Sequence, residues 1–154
     1  MEIVSRTSGQ THRVVISAVS QSEIKLLKKA TYSFNWRAIS KEYPLVKLTI
    51  EGQHEILGVM ALAEHSGDHR IEIKLLASSK GNIGVNKIFE GIAACLLAYA
   101  CGKALQNYGD LACVSLIPKT VLKEHYMAKY GMLDGGRQVF LEGKTLFDWA
   151  RKNL

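Results

Sequence analysis

Residues 72–102 leave this chain little freedom. Glu72-Ile-Lys-Leu-Leu-Ala-Ser-Ser79 has the alternation of a strand, and Lys80-Gly-Asn-Ile-Gly-Val-Asn-Lys87 carries two glycines and reads as a turn. The run that follows predicts a helix over about 89–106, with Gly91, Ala93, Ala94, Ala98, Ala100 and Ala104 along it. Small side chains let a helix lie close on a sheet, so this helix is expected to be central. A helix leaves its first N–H groups without internal partners, and its dipole places about half a positive charge there. Glycine lets a ligand approach such a backbone closely, which makes the turn a phosphate-sized site.

The flanking chain supplies a sheet. Residues 1–12 are polar and aperiodic and are expected to be a frayed, disordered end. His12–Val19 is β-rich, and Ser20-Gln-Ser-Glu23 has the spacing of a capping box, starting a helix with Ile24, Leu27 and Phe34 inward. Asn35–Pro44 links, with Trp36 expected at a core edge or lining a substrate groove. Leu45–Ile50 and Glu55–Glu64 read as a hairpin, and Gly58 suggests a bulge or a close backbone approach. Arg70–Ser78 is the next strand. Leu111–Ile117 is an uninterrupted apolar strand, suited to burial on both faces. Thr120 is expected to cap a helix over Val121–Tyr130, which Gly131 ends. A strand at Arg137–Leu141 and a C-terminal helix docked through Leu146, Phe147 and Leu154 complete the chain. The class is α+β, a single domain over residues 1–154, with a mixed, mostly antiparallel sheet and helices on both faces.

Composition narrows the partners. At 154 residues, 47% hydrophobic and 22% charged, the chain can bury one core. No apolar run approaches the roughly 18 residues of a membrane span, and the N-terminus lacks the order of a signal peptide, so the expected location is the cytoplasm, with no membrane partner. The net charge of +6 favours an anionic partner but suits a solvated lysine surface equally well. Cys95, Cys101 and Cys113 have no metal-type spacing and read as buried reduced thiols; no metal is expected.

With these elements placed, the sequence resembles the GNAT superfamily of acyl-CoA-dependent N-acyltransferases, in particular a compact bacterial branch with an Asn-Ile-Gly-x-Asn-Lys loop like Asn82–Lys87. The likeness runs from about Trp36 to the end. It is carried by Phe89-Glu-Gly-Ile-Ala-Ala94 after a strand and by His125-Tyr-Met-Ala-Lys-Tyr-Gly131 after the buried strand. Two departures stand out. Ile88 occupies the place of the family's usual Gln or Arg, and the connection Ser78–Phe89 is longer than the common form; Lys80 or Lys87 would supply the missing positive charge.

The resemblance implies transfer of an acetyl group from acetyl-CoA, a co-substrate, to a primary amine. Leu75, Leu76 and Ala77 would hold the pantetheine arm. Lys87, Phe89, Glu90, Gly91, Ile92, Ala93 and Ala94 would hold the pyrophosphate. Tyr126 would protonate the leaving thiolate, with Tyr130 as second candidate, since a phenol near pKa ~10 matches a thiol in basicity. Glu72 would take the amine proton, with Glu64, His65 and His125 as fallbacks. The acceptor would be a small molecule, a peptide or a charged tRNA, and a homodimer is compatible with the family. Two alternatives are a catalytically inactive GNAT-like binding module and an RNA-binding protein using Gly81-Asn-Ile-Gly84 as a KH-like backbone clamp.

Overall fold

The structure, a computed structural model, describes residues 1–152. Its first half comprises strands β1 (Glu2–Ser5) and β2 (Thr11–Ala18), helices α1 (Gln21–Ile24), α2 (Lys29–Tyr32) and α3 (Trp36–Ile39), and strands β3 (Leu45–Ile50), β4 (Gly58–His65) and β5 (Arg70–Ser78). Then follow β6 (Phe89–Glu90), α4 (Ile92–Tyr108), β7 (Cys113–Leu116), α5 (Lys123–Tyr130), β8 (Leu133–Gly135), β9 (Gln138–Glu142) and α6 (Gly143–Arg151). The strands form one mixed sheet in the order β6-β1-β2-β3-β4-β5-β7-β9-β8. Antiparallel pairs dominate it, while β5 and β7 run parallel. The α+β expectation holds.

The chain divides into two compact units, Met1–Ala61 with Leu75–Leu96, and Leu62–Lys74 with the chain from Leu97 onward. In the first unit, Leu27, Tyr32, Trp36, Leu45, Ile56, Val59, Ala61 and Ala77 form a common apolar cluster. Trp36 is fully buried and donates its indole N–H to the Tyr32 carbonyl at 2.8 Å, while the Tyr32 hydroxyl donates to the Ile56 carbonyl at 2.8 Å. A tryptophan so enclosed is a core residue, not a groove lining. The capping box of Ser20 and Glu23 is formed, but α1 ends after four residues; the chain re-nucleates at Lys29 and again at Trp36, capped there by the Asn35 side chain.

Three expectations in this unit are corrected. Residues 1–12 are not frayed: Glu2–Ser5 pairs with β2 on one side and β6 on the other, and Ile3 is fully buried. The second strand of the hairpin begins at Gly58 rather than Glu55. The long helix begins at Ile92, not Phe89, because Phe89 and Glu90 pair with Ser5 and Val4, and Gly91 breaks the path with φ of 102°. Gly58 fulfils its reading. A Cβ there would stand 2.7 Å from Ile92 Cγ2 and 3.1 Å from Leu96 Cδ1, so the glycine lets helix α4 approach β4.

In the second unit, Val114, Ser115 and Leu116 of β7 are buried between β5 and β9. The strand is shorter than expected, since Leu111 and Ile117 are exposed. α5 begins at Lys123 after a tight turn at Thr120–Leu122; the side chain of Thr120, its expected cap, lies outside the described set. Gly131 ends α5 in the left-handed region at φ 72°, its N–H donating to Met127 O at 3.1 Å. In α6 the buried residues are Leu146 and Ala150, four apart and therefore on one face; Phe147, one position on, turns outward, which corrects its docking role. Leu154 lies outside the described residues.

Candidate active site

In the first unit the connection between β5 and α4 is a clasped loop. Asn82 is buried, its amide N–H donating to Ser79 Oγ at 2.9 Å and its carbonyl oxygen accepting from Phe89 N–H at 2.9 Å. Ile88 N–H donates to Gly81 O at 3.0 Å, closing the loop. Arg6 holds it from the turn after β1, with Nη1 to Val85 O at 2.6 Å and its own N–H to Ile88 O at 2.9 Å. The loop leads into Gly91, where the first helical bond runs from Cys95 N–H to Gly91 O at 2.9 Å. The N–H groups of Ile92, Ala93 and Ala94 precede that bond, so they carry the positive end of a 17-residue helix.

The two lysines differ. Lys87 Nζ stands 3.1 Å from Glu90 Oε2, and Arg6 Nε is 3.8 Å from the other oxygen of the same carboxylate. Lys80 is exposed and, among the described residues, has no ion-pair partner. Of the pair, Lys80 is the cation left available to an anionic ligand.

Strand β5 carries the groove candidates. Its parallel register with β7 runs Arg70↔Cys113, Ile71↔Val114, Glu72↔Ser115 and Ile73↔Leu116. There β7 ends, while β5 continues to Ser78. Lys74–Ser78, with half-buried Leu75 and Leu76 and buried Ala77, is thus a strand segment beyond the reach of the β7 ladder. Pro118 enforces this, because it cannot donate a ladder bond.

In the second unit, Glu72 is the centre of a charged cluster. It is only 8% exposed, and its Oε1 stands 2.9 Å from His65 Nε2 and 3.7 Å from Arg70 Nη1, its Oε2 3.3 Å from Lys74 Nζ. Arg70 also donates to Ser115 Oγ at 2.8 Å and pairs with Asp68 at 3.3 Å. Burial raises the Glu72 pKa, but the hydrogen bonds from His65 and Lys74 outweigh it and hold the carboxyl below its ordinary value. Glu64 is committed elsewhere, accepting hydrogen bonds from the Asn107 side-chain amide and, at 3.5 Å, from the Tyr108 hydroxyl.

Tyr126 belongs to an aromatic group on α5 and α6. Its ring centroid is 5.8 Å from those of His125 and Tyr130, and Tyr130 meets Trp149 at 5.6 Å. Among the described residues the Tyr126 hydroxyl has no hydrogen-bond partner, and burial raises its pKa. Tyr130 is buried, and its carbonyl accepts the Trp149 indole N–H at 3.0 Å. Among the described residues no hydrogen bond joins Tyr126 to Glu72.

No family model matches the sequence, and no curated protein matches it. Solved structures do. A Desulfovibrio desulfuricans protein assigned to the GNAT family of acetyltransferases aligns at TM-score 0.64 and 11% identity, over 84% of this chain and 99% of that one. The ribosomal-protein-S18-alanine N-acetyltransferase of Escherichia coli aligns at 0.59 and 10% identity, over 83% and 91%. The IAA acetyltransferase of Bacillus cereus aligns at 0.57 and 19% identity, over 80% and 79%.

The chain has the GNAT fold.

Within that fold, the helix after Gly91 and the strand that outruns its parallel neighbour are the elements to which Leu75–Ala77 and Gly91–Ala94 belong. Phe89 and Glu90 lie instead on β6, and the Phe89 ring meets His12 edge-on at 5.6 Å. Ile88 is half exposed. Arg70 and Lys74 are the cluster members that a reading of single motifs passes over. Their signal was available, because residues 70, 72 and 74 share one face of a strand whose opposite face is Ile71 and Ile73. Arg6 had no such signal, since its role depends on contacts distant in sequence, and the contacts of Asn82 with Ser79 and Phe89 follow only from the course of the loop. The KH-like reading of Gly81–Gly84 requires a helix immediately after it; here strand β6 intervenes and the helix begins only at Ile92. Among the described residues no disulfide joins Cys95, Cys101 and Cys113, and burial pushes the Cys101 thiol up to about 12, which leaves it un-ionised near neutrality. Among the described residues no group of His, Cys, Asp and Glu has the arrangement of a metal site, and no helix is long and apolar enough to cross a membrane.

Proposed function

We propose that this chain is an N-acetyltransferase that uses acetyl-CoA and acts on a primary amine. One observation carries the reading: β5 runs five residues past the end of β7, leaving a strand segment that can pair with an extended amide-bearing arm. The glycine turn and the first turn of α4 support it, as they suit a pyrophosphate. Fold alone does not assign chemistry, so the site residues bear the argument. Similar folds are known with such ligands: one solved structure is a NatC complex bound to a Gag peptide and CoA, another is AtaT with acetyl-methionyl-tRNAfMet. A peptide, a small amine and a charged tRNA are accordingly the acceptor classes to test.

The chemistry divides among the chain's own groups. The acceptor enters as an ammonium and loses one proton to the Glu72–His65 pair. The nitrogen lone pair then attacks the thioester carbonyl, forming the C–N bond, and the C–S bond breaks with its electron pair on sulfur. Tyr126 donates its phenolic proton to that thiolate and is reprotonated, through water, by the proton that leaves the acylated nitrogen. The net products are an amide, a thiol and one proton. Backbone N–H groups of Leu75–Ala77 would polarise the carbonyl, a contribution of about 10²–10³ per donor.

The test is a thermal-shift titration with acetyl-CoA, coenzyme A and a short RNA, followed by thiol release with spermidine, a lysine-bearing peptide and charged tRNA. Stabilisation by the first two ligands and turnover of one amine are expected. Stabilisation by RNA alone refutes the reading. Binding without turnover of any amine selects the inactive binding module, which the exposed Ile88 at the family's Gln/Arg place favours.

A further inference from the structure

Glu72 is the chain's most heavily engaged carboxylate among the described residues, with three cationic or imidazole groups around two oxygens. A carboxylate so held is a poor acceptor for a substrate proton, because the hydrogen bonds from His65 and Lys74 and the nearby Arg70 charge favour its ionised form. His65 is different. An ionised carboxylate only accepts, so the 2.9 Å contact requires a hydrogen on His65 Nε2. In the neutral ring, Nδ1 then carries the free lone pair. The His65 side chain is 39% exposed, and among the described residues its Nδ1 makes no hydrogen bond.

We propose that His65 Nδ1 accepts the proton of the incoming amine, and that Glu72 is a positioning residue that fixes the tautomer and orientation of the His65 ring. Arg70 and Lys74 hold Glu72 in place, with Arg70 anchored in turn on Ser115 Oγ. The step balances simply: one N–H bond of the ammonium breaks, its electron pair stays on the amine, and the proton takes the Nδ1 lone pair. The imidazolium so formed remains hydrogen-bonded to Glu72 and returns its proton to water. This proposal rests on the acetyl-transfer reading and divides the acid–base pair within it.

The test combines spectroscopy with a mutant cycle. Nitrogen-15 NMR of the ligand-free protein should show neutral His65 protonated on Nε2; a ring protonated on Nδ1 overturns the proposal. In kinetics with acetyl-CoA and the amine probe that turns over, His65→Gln should lower kcat by ~10²-fold or more with KM for acetyl-CoA unchanged. Glu72→Gln should also lower kcat, yet the double variant should be within about threefold of His65→Gln alone, because a group acting through another has nothing left to act on. Losses that multiply, or full kcat in His65→Gln, would make Glu72 the base or remove the pair. If wild-type protein binds acetyl-CoA but acetylates none of the probes, the base role fails while the cofactor reading stands. If it does not bind acetyl-CoA, both fail, and the NMR result still reports whether Glu72 sets the ring.

Discussion

Tyr126 shows how much a single side chain's surroundings decide. Among the described residues its hydroxyl has no hydrogen-bond partner, and burial raises its phenol, so it stays protonated near neutrality and can donate to a thiolate. Tyr126→Phe should lower kcat with acetyl-CoA affinity little changed, measured by steady-state kinetics alongside calorimetric titration; undiminished turnover removes the role. Lys80 and Lys87 differ for the same kind of reason. Lys87 is already paired with Glu90, so Lys87→Ala should leave acetyl-CoA affinity nearly constant, whereas Lys80→Ala should weaken it several-fold. Calorimetry on the two variants separates them, and equal affinities would discard the lysine substitution for the family's Gln or Arg.

Elements show where local signals were overruled. The capping box at Ser20–Glu23 starts a helix, yet α1 lasts only four residues, because Leu27, Tyr32 and Trp36 each have to reach the same core. Glu23 earns a second role by pairing with Lys47 of β3, and that hydrogen bond, with the Ser20 backbone N–H, lowers its pKa from 4.5 to about 2. The folded pKa is the lower one, so this stabilisation is complete above about pH 4.5 and is lost as pH falls toward 2. Both side chains are partly exposed, which screens the size of the effect. Acid unfolding of Glu23→Gln should therefore be less steep over that window than wild type; identical curves would refute the coupling. At Gly58 the constraint is space. Gly58→Ala puts a methyl 2.7 Å from Ile92 Cγ2 and should cost about 1–3 kcal/mol, read as a lower denaturation midpoint with unchanged slope.

For the whole molecule, β4, β5 and α4 each pass from one compact unit into the other. Separate unfolding would have to break regular structure inside all three, so we propose that the chain unfolds as a single domain. Trp36 belongs to the first unit and Trp149 to the second. Fluorescence of Trp36→Phe and Trp149→Phe variants, each normalised to its own stability, should give transitions coincident with circular dichroism. Two separated transitions would establish independent domains.

Periodicity alone placed β3 and β5 at their observed bounds, because alternating and continuous apolar runs report burial directly. The same reading found the Gly58 approach and the Gly131 stop, each dictated by the absence of a Cβ. Other features depended on which groups the fold brings into contact. β1 exists because β2 and β6 offer it bonds, Glu72 is buried because His65, Arg70 and Lys74 neutralise it, and the loop at Asn82 is closed by Ser79, Phe89 and Arg6. Local sequence carries conformational preference and hydrophobic pattern. Which polar groups meet, and which are left open for chemistry, is settled only when distant segments are brought together.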